Sequence, residues 1–125
     1  MLMKTLNMKT VKIYYTQKGI SGYSYYFDKK LTKQNYDENG NFTVREEVEP
    51  ELKYYTLVGK HTLDIADNDE VFRWVILNYN VGDIPAKIAR QNLDVSHTCF
   101  SAGDIVEIDG IYYISGGAGF QKIWT

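Results

Sequence analysis

Ser101-Ala-Gly-Asp-Ile-Val-Glu-Ile-Asp-Gly-Ile-Tyr-Tyr-Ile-Ser-Gly-Gly-Ala-Gly-Phe-Gln-Lys-Ile123 reads as three short strands joined by two tight turns. Ile105, Glu107 and Asp109 alternate with Val106 and Ile108, the period-2 pattern of a half-buried strand. Asp109-Gly110 supplies the two central residues of a type I′ hairpin, where both φ angles are positive and glycine adopts them without a Cβ clash. Ile111 to Ile114 returns, Ser115 to Gly119 turns again, and Phe120 to Ile123 runs out as the third strand.

Upstream, the same signals recur. Lys9 to Tyr15 alternates Val11, Ile13 and Tyr15 with Lys12 and Tyr14, a first strand. Lys18 to Gly22 is a turn, and Tyr23 to Phe27 is an aromatic pairing strand. Glu38-Asn-Gly-Asn41 is a hairpin signal between Lys33–Asp37 and Phe42–Val48. Pro50 ends that run because proline has no amide to donate to a ladder. Lys53 to Val58 then reads as a strand, Gly59-Lys60 as a turn and His61 to Ile65 as its return.

The main helix starts at Asp67, whose carboxylate can cap free first-turn amides, with Glu70 three residues on as in a capping box. Val71, Trp74, Val75 and Asn78 share one face and Phe72, Ile76 and Tyr79 the adjacent one, so the apolar arc predicts a helix pressed on a sheet over most of its circumference. A second, short helix follows Asp83 to about Arg90, with Pro85 tolerated in its first turn. Asp94 to Phe100 is a loop or weak strand. The fold class is therefore α+β: an antiparallel sheet of short hairpin-connected strands against one main helix and a minor one. The 125 residues make a single domain, 1–125, with no repeat or linker.

Composition excludes several classes of function. A net charge of −2 is not that of a general phosphate-binding surface, and it is too mild for an acidic mimic of DNA. The charge is uneven: residues 1–60 carry ten Lys/Arg against seven Asp/Glu, and residues 61–125 carry four against nine. A single cysteine, Cys99, rules out an internal disulfide and a multi-thiolate zinc site. The amino terminus has no signal-peptide core, and no stretch reaches the about 20 apolar residues that span a bilayer, so a cytoplasmic location is expected.

Chemistry-bearing motifs are few. His97-x-Cys99 would share a face in an extended segment, but a nucleophilic cysteine needs a base held by a third group, and two ligands make no zinc site. Gly116-Gly-Ala-Gly119 has the glycine content of a phosphate loop but leads into a strand, without the helix amides that such loops use. Carboxylate pairs such as Asp64/Asp67, Asp67/Asp69 and Glu46/Glu47 match the charge content, and capping accounts for Asp67. No catalytic residue, metal or cofactor is assigned.

The aromatic content, 14%, is the one excess. Tyr14/Tyr15, Tyr25/Tyr26, Tyr54/Tyr55 and Tyr112/Tyr113 are adjacent pairs whose rings point to opposite faces of a strand. A sheet covered on one side only would expose some of them, and tyrosine suits binding surfaces. Tyr14, Tyr23, Tyr25, Tyr54, Tyr112 and Phe120 are the candidate partner-binding residues.

The helix start Asp67-Asn-Asp-Glu-Val-Phe-Arg-Trp74, the block Phe100-Ser-Ala-Gly-Asp-Ile-Val-Glu-Ile108 and the closing Tyr112 to Ile123 together make residues 65–123 resemble a YodL-type domain. Two departures stand out: the insertion Val81 to Asp94, and Ser115-Gly-Gly-Ala in front of Gly119-Phe120. The resemblance implies a setting in Gram-positive bacteria, their phages and mobile elements, and it implies no enzymatic activity, cofactor or site residue. The resulting expectation is a small non-enzymatic protein that binds another protein, for instance to inhibit a host protein or defence system. The alternative is a nucleic-acid-binding accessory protein using Lys9, Lys12, Lys29, Lys30 and Lys33 beside Tyr14, Tyr23 and Tyr25, with affinity that falls steeply with salt. Exposed edge strands leave a homodimer open.

Overall fold

A computed structural model describes residues 8–20, 38–39, 49–116 and 119–125. The expected strand Tyr23–Phe27 with Tyr25, the strands Lys33–Asp37 and Phe42–Val48, Gly40 and Asn41 of the hairpin signal between them, and Lys29 and Lys30 lie outside these residues.

Five strands form one antiparallel sheet in the order β2-β1-β3-β4-β5. They are β1 (Met8–Thr16), β2 (Tyr55–Asp64), β3 (Ile105–Ile108), β4 (Ile111–Gly116) and β5 (Gly119–Trp124). A 3-10 turn, Leu52–Tyr54, leads into β2, and two helices, α1 (Asn68–Asn80) and α2 (Asp83–Arg90), connect β2 to β3. Because β2 and β3 both pair antiparallel with β1, they run in the same direction, and the helices carry the chain across β1 on one face.

The β3–β4 turn is built as its sequence dictates. Asp109 and Gly110 take φ of 49° and 85°, the positive pair of a type I′ hairpin. Asp109 Oδ1 also accepts from the amide of Thr10 at 2.8 Å, tying the turn to β1. Gly116, the last residue of β4, pairs with Gly119, the first of β5, so the described glycines of the cluster lie in strands.

Both faces of the sheet hold core. Val11, Ile13, Tyr15, Val106 and Ile108 meet Val71, Val75 and Tyr79 of α1, Ile88 of α2 and Phe100. On the other face Tyr14, Tyr55, Ile105, Ile114 and Ile123 form a second cluster, with Leu52, Tyr112 and Trp124 packed against it. Tyr14 and Tyr55 are thus buried in a second cluster and not exposed on an open face, and β3, expected to be half-buried, is buried on both faces.

Three further expectations are corrected. Gly59-Lys60 is no turn: β2 runs unbroken, and its register against β1 shifts between Ile13 and Tyr14, opposite Gly59 and Leu57. Glycine is there because Tyr79 Oη lies against the strand where a Cβ would stand. The helix arc is narrower than its sequence suggests. Val71, Val75 and Tyr79 are buried, whereas Ile76 is 42% and Leu77 63% exposed. The cap is also simpler than a capping box. Asp67 Oδ1 accepts from Asp69 N at 2.8 Å, and no return bond from the Glu70 side chain forms among the described residues.

Candidate functional site

The outward side of α1 is the most distinctive surface. With Val71, Val75 and Tyr79 turned inward, two other rows spaced four apart face out: Phe72, Ile76 and Asn80, and Asp69, Arg73, Leu77 and Val81. Residues four apart stack on one helix side. These rows and the start of β5, Gly119 and Phe120, line a groove of about 790 Å³. A recess of about 200 Å³ adjoins it, reaching Phe100, Ser101 and Ser115 beyond Ile76 and Phe120.

The groove has an aromatic floor. Phe72 stacks on Phe120 with centroids 4.2 Å apart and planes at 4°. Phe120 also lies 5.6 Å from Phe100, and Phe72 meets Tyr113 edge-on at 5.1 Å. Ile76, Leu77 and, at 65% exposure, Val81 form its apolar margin. Asp69 and Arg73 supply its charge, and neither has an ion-pair partner among the described residues.

Of the candidate binding residues that are described, Phe120 alone lies here. Tyr14 and Tyr112 come together on the opposite face, 6.5 Å apart. Tyr14 is buried there and donates its hydroxyl to Glu107 Oε1 at 2.8 Å, and burial with that carboxylate raises its pKa far above the usual phenol. Tyr54 is half-buried in the 3-10 turn with the Lys53 ammonium 5.1 Å from its ring centroid. Tyr23 and Tyr25 lie outside the described residues. Of the residues of the nucleic-acid alternative, Tyr14 is thus buried, and Lys12 has Glu107 at 4.0 Å.

His97 is paired, though not with Cys99. Its Nε2 lies 2.6 Å from Asp104 Oδ2, and its Nδ1 is 2.7 Å from Ser96 Oγ. In the neutral ring Nε2–H donates to the carboxylate, which only accepts, and Nδ1 accepts from the serine. Asp104 is fully buried and also accepts from the amides of Ser101 at 2.8 Å and Thr16 at 3.4 Å. Burial pushes its carboxyl up, and these donors pull the other way. Ser96 Oγ is shared with Thr16 Oγ1 at 2.7 Å, and Ser96 N donates to Thr16 O at 2.8 Å. Although the order is that of a Ser–His–Asp relay, Ser96 and His97 line neither the groove nor the recess. Three bonds, all on Thr16, tie residues 96–104 to the end of β1, and the others close that loop on itself, the arrangement of a loop staple. Cys99 is exposed. Among the described residues no three His, Cys, Asp or Glu cluster as a metal site, and no helix is long and apolar enough to cross a membrane.

The sequence reading missed Ile76, Leu77 and Val81 as a surface. Their signal was present: Leu77 and Val81 continue the row from Asp69 and Arg73, away from Val71, Val75 and Tyr79. Comparison with protein-family models, with curated proteins and with solved structures finds no match to this chain.

Proposed function

We propose that this protein is a small, non-enzymatic, cytoplasmic binding protein that engages another protein through the groove between α1 and the start of β5. The observation that carries this reading is the combination of exposed Ile76, Leu77 and Val81 with the stacked Phe72–Phe120 floor. Large apolar side chains gathered around a concave site, with a few charged groups at its margin, are characteristic of interaction surfaces. The YodL-type resemblance supports seeking the partner in a Gram-positive bacterium, with inhibition of a host protein or defence system by a phage or mobile-element protein as the role to test.

Affinity capture from a Gram-positive lysate, with nuclease present, tests it. Wild-type protein is compared with Leu77→Asp and Ile76→Asp, both at exposed positions that leave the core intact. A partner should be retained by the wild type and lost from both variants. If every captured protein is held equally by all three, the groove is not the binding surface. Capture that disappears on nuclease treatment would favour the nucleic-acid alternative instead.

A further inference from the structure

Asp109 is the one aspartate of the chain followed by glycine, and both residues are exposed at the β3–β4 turn. We propose that Asp109–Gly110 is a backbone-isomerisation site closed by the native sheet and modified only in chains whose turn has come away from β1 and β4. The chemistry needs neither enzyme nor cofactor. Glycine places no side chain over its own amide, so Gly110 N can attack Asp109 Cγ when the carboxyl is in its acid form. The new C–N bond closes a five-membered imide, and the carboxyl hydroxyl leaves as water with the amide proton. Water then adds back at either imide carbonyl. Opening at the main-chain carbonyl carries the chain through Cγ, so isoaspartate replaces aspartate with no net change in mass.

The fold opposes ring closure at the side chain and at the backbone. β1 and β4 lie on opposite sides of β3. The Asp109 side chain reaches toward β1, where Oδ1 accepts from Thr10 N at 2.8 Å, while Gly110 leads the chain away into β4. Turning Cγ toward the Gly110 nitrogen would break that bond. Asp109 N also donates to Thr10 O at 3.0 Å, and Ile108 pairs with Ile111, which leaves two residues to make the turn. Their φ values of 49° and 85° belong to the conformation a two-residue loop demands, and rotation about the Asp109 Cα–C bond would open it. Reaction therefore waits on local opening of the turn, although the site is exposed. The product does not fit the closed turn. Isoaspartate adds one main-chain atom to a loop whose length sets the strand register, and it moves the free carboxylate from Cβ to Cα, away from the oxygen position that Thr10 N holds.

The test is the rate of isoaspartate formation at residue 109 of the full chain, read by fragmentation mass spectrometry that separates the two isomers. Incubation runs at one pH and temperature, in native buffer where circular dichroism shows the fold intact, and in denaturing guanidinium. The native chain should isomerise about ten-fold or more slowly, since closed turns outnumber open ones by at least that factor. Asp109→Asn gives a second measurement. Its amide oxygen can accept from Thr10 N, and the same ring closure expels ammonia, so the reaction registers as a change in mass. It should show the same native protection. The isoaspartyl chain, separated by chromatography and refolded, should unfold at lower denaturant than the unmodified chain. Rates within about two-fold in the two conditions would overturn the shielding. An isoaspartyl chain as stable as the unmodified one would overturn the claim that the closed turn excludes the product.

Discussion

Adding one methyl group to Gly59 should cost more than most substitutions at strand positions. A Cβ there would overlap Tyr79 Oη and lie 3.0 Å from its Cζ and 3.1 Å from His61 Nε2. Tyr79 has nowhere to go: it is 1% exposed, bonded through its hydroxyl to His61 Nε2, and packed edge-on to Tyr15 at 6.4 Å. Its phenol is pushed up to about 12 by burial, so it stays a donor at all ordinary pH values. Overpacking a filled site costs about 1–3 kcal/mol, and displacing the hydroxyl from His61 adds about 1 kcal/mol. Gly59→Ala should therefore lose about 2–4 kcal/mol, measured by urea denaturation with the slope unchanged. The Tyr79→Phe change removes the overlapping atom, so the double variant should lose clearly less than the sum of the two single changes. A Gly59→Ala protein within about 0.5 kcal/mol of wild type, the range of unremarkable surface changes, would refute the reasoning. Strict additivity in the double variant would refute it as well.

Asp104→Ala should destabilise by about 3 kcal/mol, because it strips the buried acceptor from His97 and from the Ser101 and Thr16 amides at once; chemical denaturation checks this. Tyr15→Phe should be neutral or stabilise by about 1 kcal/mol, since the buried Tyr15 hydroxyl has no hydrogen-bond partner among the described residues; the same titration reads it. His61 has its pKa lowered below 6.5 by burial. The unfolded chain therefore binds the proton more readily, and the stability His61 contributes is present above pH 6.5 and lost as pH falls through the lowered value. Relative to His61→Gln, wild-type stability should decline over that acidic range, and parallel pH profiles for the two proteins would contradict the assignment.

The sequence by itself determined what local chemistry determines. Asp109-Gly110 could only be a positive-φ hairpin, and it is one. Asp67 could cap a helix that Val71, Val75 and Tyr79 then bury, and it does. Such features depend on neighbours a few residues away, and so they are legible in the order of residues. Gly59 shows the limit, because the reason for glycine there is Tyr79, twenty residues later and on another element. His97 shows it again: its partner is Asp104, brought near by the closure of residues 96–104 on Thr16, and the adjacent Cys99 was the misleading cue. The groove depended on tertiary structure most of all. Phe72, Ile76 and Leu77 are equally apolar in sequence, and periodicity assigns helix faces without saying which face meets the sheet. Only the placement of α1 on β1 and β3, with Phe120 of β5 rising beside Phe72, decided that Val71, Val75 and Tyr79 turn inward. The same placement left Leu77 and Val81 uncovered, because a straight helix on a sheet can bury only the side that touches it.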